Sequence, residues 1–108
     1  MLKSVEKDIE ALGGPVVVSE MGALDRIEYF ESVKAWKEAG DSDQKVGIKL
    51  GALLVVKCLT KDGRRVYTDT QFDEVARSHN IETLNEFFTV AAELNGLLPK
   101  QQEAVAGN

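Results

Sequence analysis

The stretch from Val55 to Leu98, VVKCLTKDGRRVYTDTQFDEVARSHNIETLNEFFTVAAELNGLL, decides the fold of this chain. An apolar segment leads through an Asp-Gly turn into two short helical patterns, and the second pattern ends at Asn95-Gly96. Turns and caps in this order are typical of a compact helical module. The stretch contains no recognisable set of catalytic residues, so it indicates a binding protein rather than an enzyme.

Two helices are predicted after the Asp-Gly turn. Asp69 or Thr70 caps the first, which is expected to run to about Ser78, and Asn80 caps the second, which is expected over 81–95. The second helix is amphipathic, as a surface helix should be. Its apolar face consists of Leu84, Phe87, Phe88, Ala91 and Leu94.

The apolar residues before the turn predict a central helix over about 44–59, because apolar side chains surround it on nearly every side. A β-hairpin over 54–68 is the competing interpretation, since Asp-Gly is a strong hairpin turn and Gly47 and Gly51 weaken a helix. We favour the helix, because the apolar run is too long for one strand of that hairpin. A short strand at 64–67 fits either interpretation.

The first 18 residues carry many charges and little pattern, apart from a β-branched extended segment at Val16–Val18. Whether they are mobile, ordered or exchanged between copies is left open. Ser19 is a candidate N-cap for a helix that is expected to run to about Ala39 and to end at Gly40.

This first helix has two apolar faces. One face carries Ala23, Leu24, Ile27 and Phe30. The other carries Tyr29, Val33 and Trp36. A surface helix needs only one apolar stripe, so either the domain packs on both sides of the helix or one stripe contacts a partner. The predicted partner-binding residues are Tyr29, Val33 and Trp36, whose aromatic rings would supply contact area to a partner or to a second copy.

Length and composition indicate one acidic domain. The chain has 108 residues and a formal charge of −5, which disfavours nucleic-acid binding because phosphate contacts need a basic surface. The fold class expected is mainly α, a compact single-domain bundle of about four helices over 1–98, with a strand or turn at 61–68. Residues 99–108 are expected to form a flexible tail.

Candidate chemistry is sparse. His79 has no neighbouring metal ligand, Cys58 lies in an apolar run, and Asp73-Glu74 point in different directions on a helix. Arg64-Arg65 are expected at a solvated loop tip or against an acidic partner. We therefore expect no enzyme activity, no metal, no cofactor and no membrane contact. The absence of a signal-peptide pattern favours the cytoplasm.

Two segments resemble proteins of bacteriophages. Residues 19–36, SEMGALDRIEYFESVKAW, are similar to the opening helix of minor tail proteins that act as tail assembly chaperones in lambda-like siphophages. The region from Leu54 to Leu97 resembles the C-terminal half of many small tail assembly chaperones. The matching positions are Asp62, Gly63, Arg65, Val66, Tyr67, Thr68, Asp69, Leu94, Asn95, Gly96 and Leu97.

The resemblance implies a helical protein of the host cytoplasm that binds the tape measure protein and keeps it soluble until tail tube subunits polymerise around it. Such a chaperone self-associates or acts in many copies and is absent from the finished virion. The family often makes a longer product by −1 frameshifting, for which Pro99-Lys100 is a candidate position, and the longer product would recruit tail tube protein. The alternatives are a structural head–tail or tail joining protein, or a helical adaptor domain unrelated to phages.

Overall fold

A computed structural model of the chain describes residues 1–98 and contains both helices and a sheet. The elements in chain order are β1 (Ser4–Ile9), β2 (Gly14–Ser19), α1 (Ala23–Glu38), α2 (Asp43–Cys58), β3 (Leu59–Lys61), β4 (Arg64–Arg65), α3 (Phe72–Ser78) and α4 (Ile81–Leu94), with single 3-10 turns at Glu10–Leu12 and Asp69–Gln71. The expected single domain of about four helices is confirmed. The four-stranded antiparallel sheet was not expected.

Helix α2 is the central element of the domain. The Ser42 hydroxyl caps its first turn by accepting from the backbone N–H of Lys45 at 3.2 Å. Every residue from Gly51 to Leu59 is buried, because α1, α3, α4 and the sheet all contact this helix or its end. The predicted central helix is therefore confirmed, and it ends at Cys58.

The Asp-Gly turn lies in a short hairpin that begins directly after α2. Asp62 and Gly63 have φ values of +54° and +78°, and two positive φ values at the turn are the signature of a type I′ hairpin. Strands β3 and β4 pair through Thr60 with Arg65 and Lys61 with Arg64. The two competing predictions, a helix and a hairpin, therefore both occur, with the hairpin following directly after the helix.

The N-terminal segment forms the other half of the sheet. Strands β1 and β2 pair antiparallel within the same chain, and β2 then pairs with β3 through Val18 and Leu59. The sequence predicted only Val16–Val18 as extended, because β1 is charged and buries only Ile9 of its six residues. Most of the first 18 residues thus belong to the two paired strands β1 and β2. Ser19 belongs to β2, and Gly22 occupies the N-cap position of α1.

The remaining helix ends follow the sequence closely. The Asn80 side chain accepts from the backbone N–H of Thr83 at 2.8 Å and begins α4, and Gly96 ends it with φ +69°. Before α3, Thr68 and Gln71 form the capping box, in place of the predicted cap at Asp69 or Thr70. Within the described residues, no helix combines the length and apolarity needed to cross a membrane. The tail predicted at 99–108 lies outside the described residues.

Helices α2 and α4 approach each other closely at Gly51. A Cβ atom at this position would lie 2.9 Å from the carbonyl oxygen of Leu84 and 3.0 Å from its Cβ. Gly47, one turn earlier on the same helix, has no neighbouring atom within 4 Å of the corresponding position. The two glycines therefore differ in packing and share the same helix.

We predict that Gly51→Ala and Gly47→Ala change stability in opposite directions. The Cβ of alanine at position 51 would push α2 away from the backbone of Leu84 in α4, so this variant should have a free energy of unfolding about 1–3 kcal/mol lower than the wild type. The second should raise it by about 0.4–1 kcal/mol, because alanine restricts the unfolded chain and favours helix. Urea denaturation followed by far-UV circular dichroism measures both. Equal stabilisation by the two alanines would contradict the close approach of α2 and α4.

Candidate functional site

The predicted partner-binding stripe on α1 faces inward. Tyr29 is 5% exposed, and burial raises the pKa of its hydroxyl to about 12. Val33 and Trp36 are partly buried and pack against the core, and the Trp36 ring stacks on Phe72 with 5.6 Å between ring centroids. The stripe of Tyr29, Val33 and Trp36 therefore packs against the domain, and Tyr29, which was predicted to contact a partner, is buried in the core instead.

The opposite face of α1 is the exposed one. The exposed fractions of Leu24, Ile27 and Phe30 are 76%, 54% and 42%. Their spacing of three residues aligns them along one side of the helix, and we call these three residues the exposed α1 face. Arg26 borders it, with its guanidinium carbon 5.4 Å from the centre of the Phe30 ring. The sequence identified both stripes and assigned them the wrong way round.

A buried lysine fixes which side of α1 faces α2. The Lys57 side chain is 3% exposed, and its Nζ lies 2.8 Å from Glu28, 3.2 Å from Asp25 and 3.6 Å from Asp69. Burial alone would lower the pKa of Lys57, but the hydrogen bonds to Glu28 and Asp25 outweigh it and hold the pKa above its usual value. Lys57 thus stays charged and binds two carboxylates of α1.

Arg65 joins the same cluster from β4. Its Nη2 donates to Asp69 at 2.7 Å, and its Nε donates to the backbone carbonyl of Val56 at 2.9 Å. The hydrogen bond from Arg65, helped by the charge of Lys57, outweighs partial burial and lowers the pKa of Asp69. The side chain of Arg65 is therefore partly buried against the domain. Arg64, its neighbour in β4, is exposed to solvent.

Asn95 joins the two segments that carry the phage resemblance. Its buried side chain accepts from the backbone N–H of Met21 at 2.8 Å and donates to the carbonyl of Ala91 at 2.8 Å and to Cys58 Sγ at 3.6 Å. The backbone carbonyl oxygen of Asn95 accepts a hydrogen bond from Arg26 Nη1 at 2.5 Å. Met21 and Arg26 lie in the first segment, and Asn95 lies in the second. Burial raises the pKa of the Cys58 thiol to about 12, which fits a structural cysteine.

Most conspicuous positions of the resemblance have structural roles. Asp62-Gly63 forms the hairpin turn, Thr68 caps a turn, and Asn95-Gly96 ends α4. In the described part of the chain, no three His, Cys, Asp or Glu side chains are grouped so that they could hold a metal ion. No protein-family model, curated protein or solved structure matches the chain. The candidate functional surface is the exposed α1 face, because three large apolar side chains lie together in solvent there.

We predict that the Asp69 carboxylate stabilises the fold in a pH-dependent way. Its pKa is lowered from 3.8 in the folded state, so its contribution is present above that value and is lost as the pH falls through the folded pKa. Between pH 5 and pH 2 the wild type should lose more stability than Asp69→Asn. Thermal denaturation at each pH measures the difference.

The control is Asp73→Asn, which removes the same charge from an exposed pair with Arg77 on α3. An Asp69→Asn variant with the same acid profile as the wild type would show that the Asp69 carboxylate does not stabilise the fold.

Proposed function

We propose that this chain is a tail assembly chaperone of phages with long, non-contractile tails. In this role it binds the tape measure protein in the host cytoplasm, keeps it soluble, and helps to recruit tail tube subunits. It is neither an enzyme nor a component of the finished virion. The proposal is supported by the resemblance of residues 19–36 and 54–97 to such chaperones and by the kind of surface that α1 exposes.

The exposed α1 face is the observation that carries this proposal. Leu24, Ile27 and Phe30 form an apolar row on a domain with a formal charge of −5. A tape measure protein is a long helical chain whose apolar side chains need cover before the tail tube surrounds it. An apolar row on an acidic, soluble domain can cover such a helix and add repulsive charge between clients.

One domain covers only a short part of a long client. Helix α1 has 16 residues, so its length is about 24 Å at 1.5 Å per residue. Many copies bound along one client would gain by avidity, and contacts between copies would strengthen this. A frameshifted longer product would add the contact to tail tube protein. Its candidate position, Pro99-Lys100, lies outside the described residues, and the codons at 98–100 decide whether a slippery heptamer exists.

We predict that Ile27→Asp abolishes the ability of the chain to keep its tape measure protein soluble. Ile27 is at the centre of the exposed α1 face, and a carboxylate there would have to be desolvated on binding. The assay co-expresses the chain with the tape measure protein of the same phage and measures the soluble client fraction and its co-purification.

The matched control is Ile81→Asp. Ile81 is 49% exposed against 54% for Ile27, and it lies at the start of α4, where a carboxylate suits the helix dipole. This control should keep the client soluble. If Ile27→Asp remains folded by circular dichroism and still solubilises the client, the exposed α1 face is not the binding surface.

We also predict that the chain is present in infected cells and absent from purified virions. A chaperone leaves when tube subunits replace it, whereas a structural joining protein stays in the particle. Quantitative mass spectrometry of lysate and purified particles separates the two, with a known tail protein as internal standard. Retention at one fixed copy number per virion would favour the joining protein.

A further inference from the structure

A groove adjoins the exposed α1 face on the side of α2. It is about 540 Å³ in volume and lies between α1 and the segment that leads into α3. Its apolar surface is formed by Ala35, Trp36, Leu53 and Phe72. Trp36 and Phe72 stack with an angle of 14° between their rings, so the apolar part of the groove is held in shape by aromatic contact.

The border of this groove is acidic. Glu28, Glu31 and Asp69 line it together with Lys57. The ammonium of Lys57 is already surrounded by three carboxylates, so it offers little to a ligand. The side chains of Glu28 and Asp69 are 54% and 61% exposed, and within residues 1–98 Glu31 makes no ion pair. Negative charge therefore remains available to a partner.

The aromatic ring of Trp36 already contacts a lysine of this chain. The Nζ of Lys49 lies 5.4 Å from the centre of the Trp36 ring, and Asp41 holds the same ammonium at 2.6 Å. An alkylammonium of this chain is thus already bound by the Trp36 ring and one carboxylate. The same two kinds of group recur along the groove, in Phe72 with Glu28 and Glu31.

We propose that this groove binds lysine or arginine side chains from an amphipathic helix of a partner protein. The alkyl part of such a side chain would lie on the apolar floor and its charged end against Glu31 and Glu28. Glu28 follows Leu24 by four residues and Glu31 follows Ile27 by four, so each carboxylate is one helical turn from a residue of the exposed α1 face.

This arrangement specifies the pattern of the partner. Its apolar row would lie on the exposed α1 face, and basic residues beside that row would reach across Glu28 and Glu31 into the groove. An acidic helix would be repelled at the same border. The inference goes beyond the proposed function, because it concerns the chemistry of any helix bound here and does not require a tape measure protein.

The test uses three synthetic amphipathic peptides of 18 residues with the same leucine row. The flanking positions carry lysine, glutamine or glutamate. The chain contains one tryptophan, so a change in its emission reports directly on the groove around Trp36. We expect the lysine peptide to shift this emission and to bind about tenfold more tightly than the glutamine peptide at low salt, with no binding of the glutamate peptide.

Charge reversal distinguishes the groove from general attraction to an acidic protein. Glu31→Lys should lower the binding affinity for the lysine peptide about tenfold. Glu86→Lys makes the same change in net charge at an exposed α4 residue and should leave binding unchanged. Both positions are exposed, so both variants should keep the wild-type circular dichroism spectrum.

Three results would overturn the inference. Equal weakening by Glu31→Lys and Glu86→Lys would show non-specific attraction. Equal affinity of the lysine and glutamine peptides would show that the acidic border has no role in recognition. Binding without a change in Trp36 emission would locate the peptide elsewhere. None of these measurements involves a phage client, so the proposed function stands or fails separately by the co-expression assay.

Discussion

The charged contacts of Lys57 are the interaction on which the rest of the structure depends. An ammonium buried at the end of an apolar helix carries a desolvation cost on the order of several kcal/mol unless carboxylates surround it. Here those carboxylates come from other elements, with Asp25 and Glu28 on α1 and Asp69 in the turn before α3. Both segments are therefore held against the end of α2, and Arg65 extends the contact to β4.

The orientation of α1 follows from this constraint. Once Asp25 and Glu28 face Lys57, the geometry of a helix directs Tyr29 and Trp36 toward the core and Leu24 and Ile27 toward solvent. The outward apolar row is thus the side of the helix that remains after the ion cluster has been satisfied. The acidic border of the groove has the same origin, because Glu28 contributes to the cluster and to the border.

The sequence predicted those elements whose signals are local. Helix α4 has one clean apolar face, a capping asparagine and a terminal glycine, and each of these acts within a few residues. Strand β1 was missed because an edge strand with one buried residue has no apolar alternation. The two faces of α1 were exchanged because both are apolar and their order depends on Lys57, 29 residues beyond Glu28. The one signal that could have indicated this, a lysine inside an apolar run that needs carboxylate partners when it is buried, was not used in the prediction.

The C-terminal positions of the resemblance and the candidate contact surface are different residues, although the exposed α1 face lies within the other resembling segment, residues 19–36. The turn at Asp62-Gly63, the cap at Thr68 and the helix end at Asn95-Gly96 shape the scaffold. A set of proteins that shares them would share a fold, because each meets a backbone requirement that few residues can satisfy. The exposed α1 face and Glu31 meet no such requirement. They can therefore change with the partner while the scaffold stays constant, and partner choice should be read from α1 rather than from the more recognisable C-terminal half.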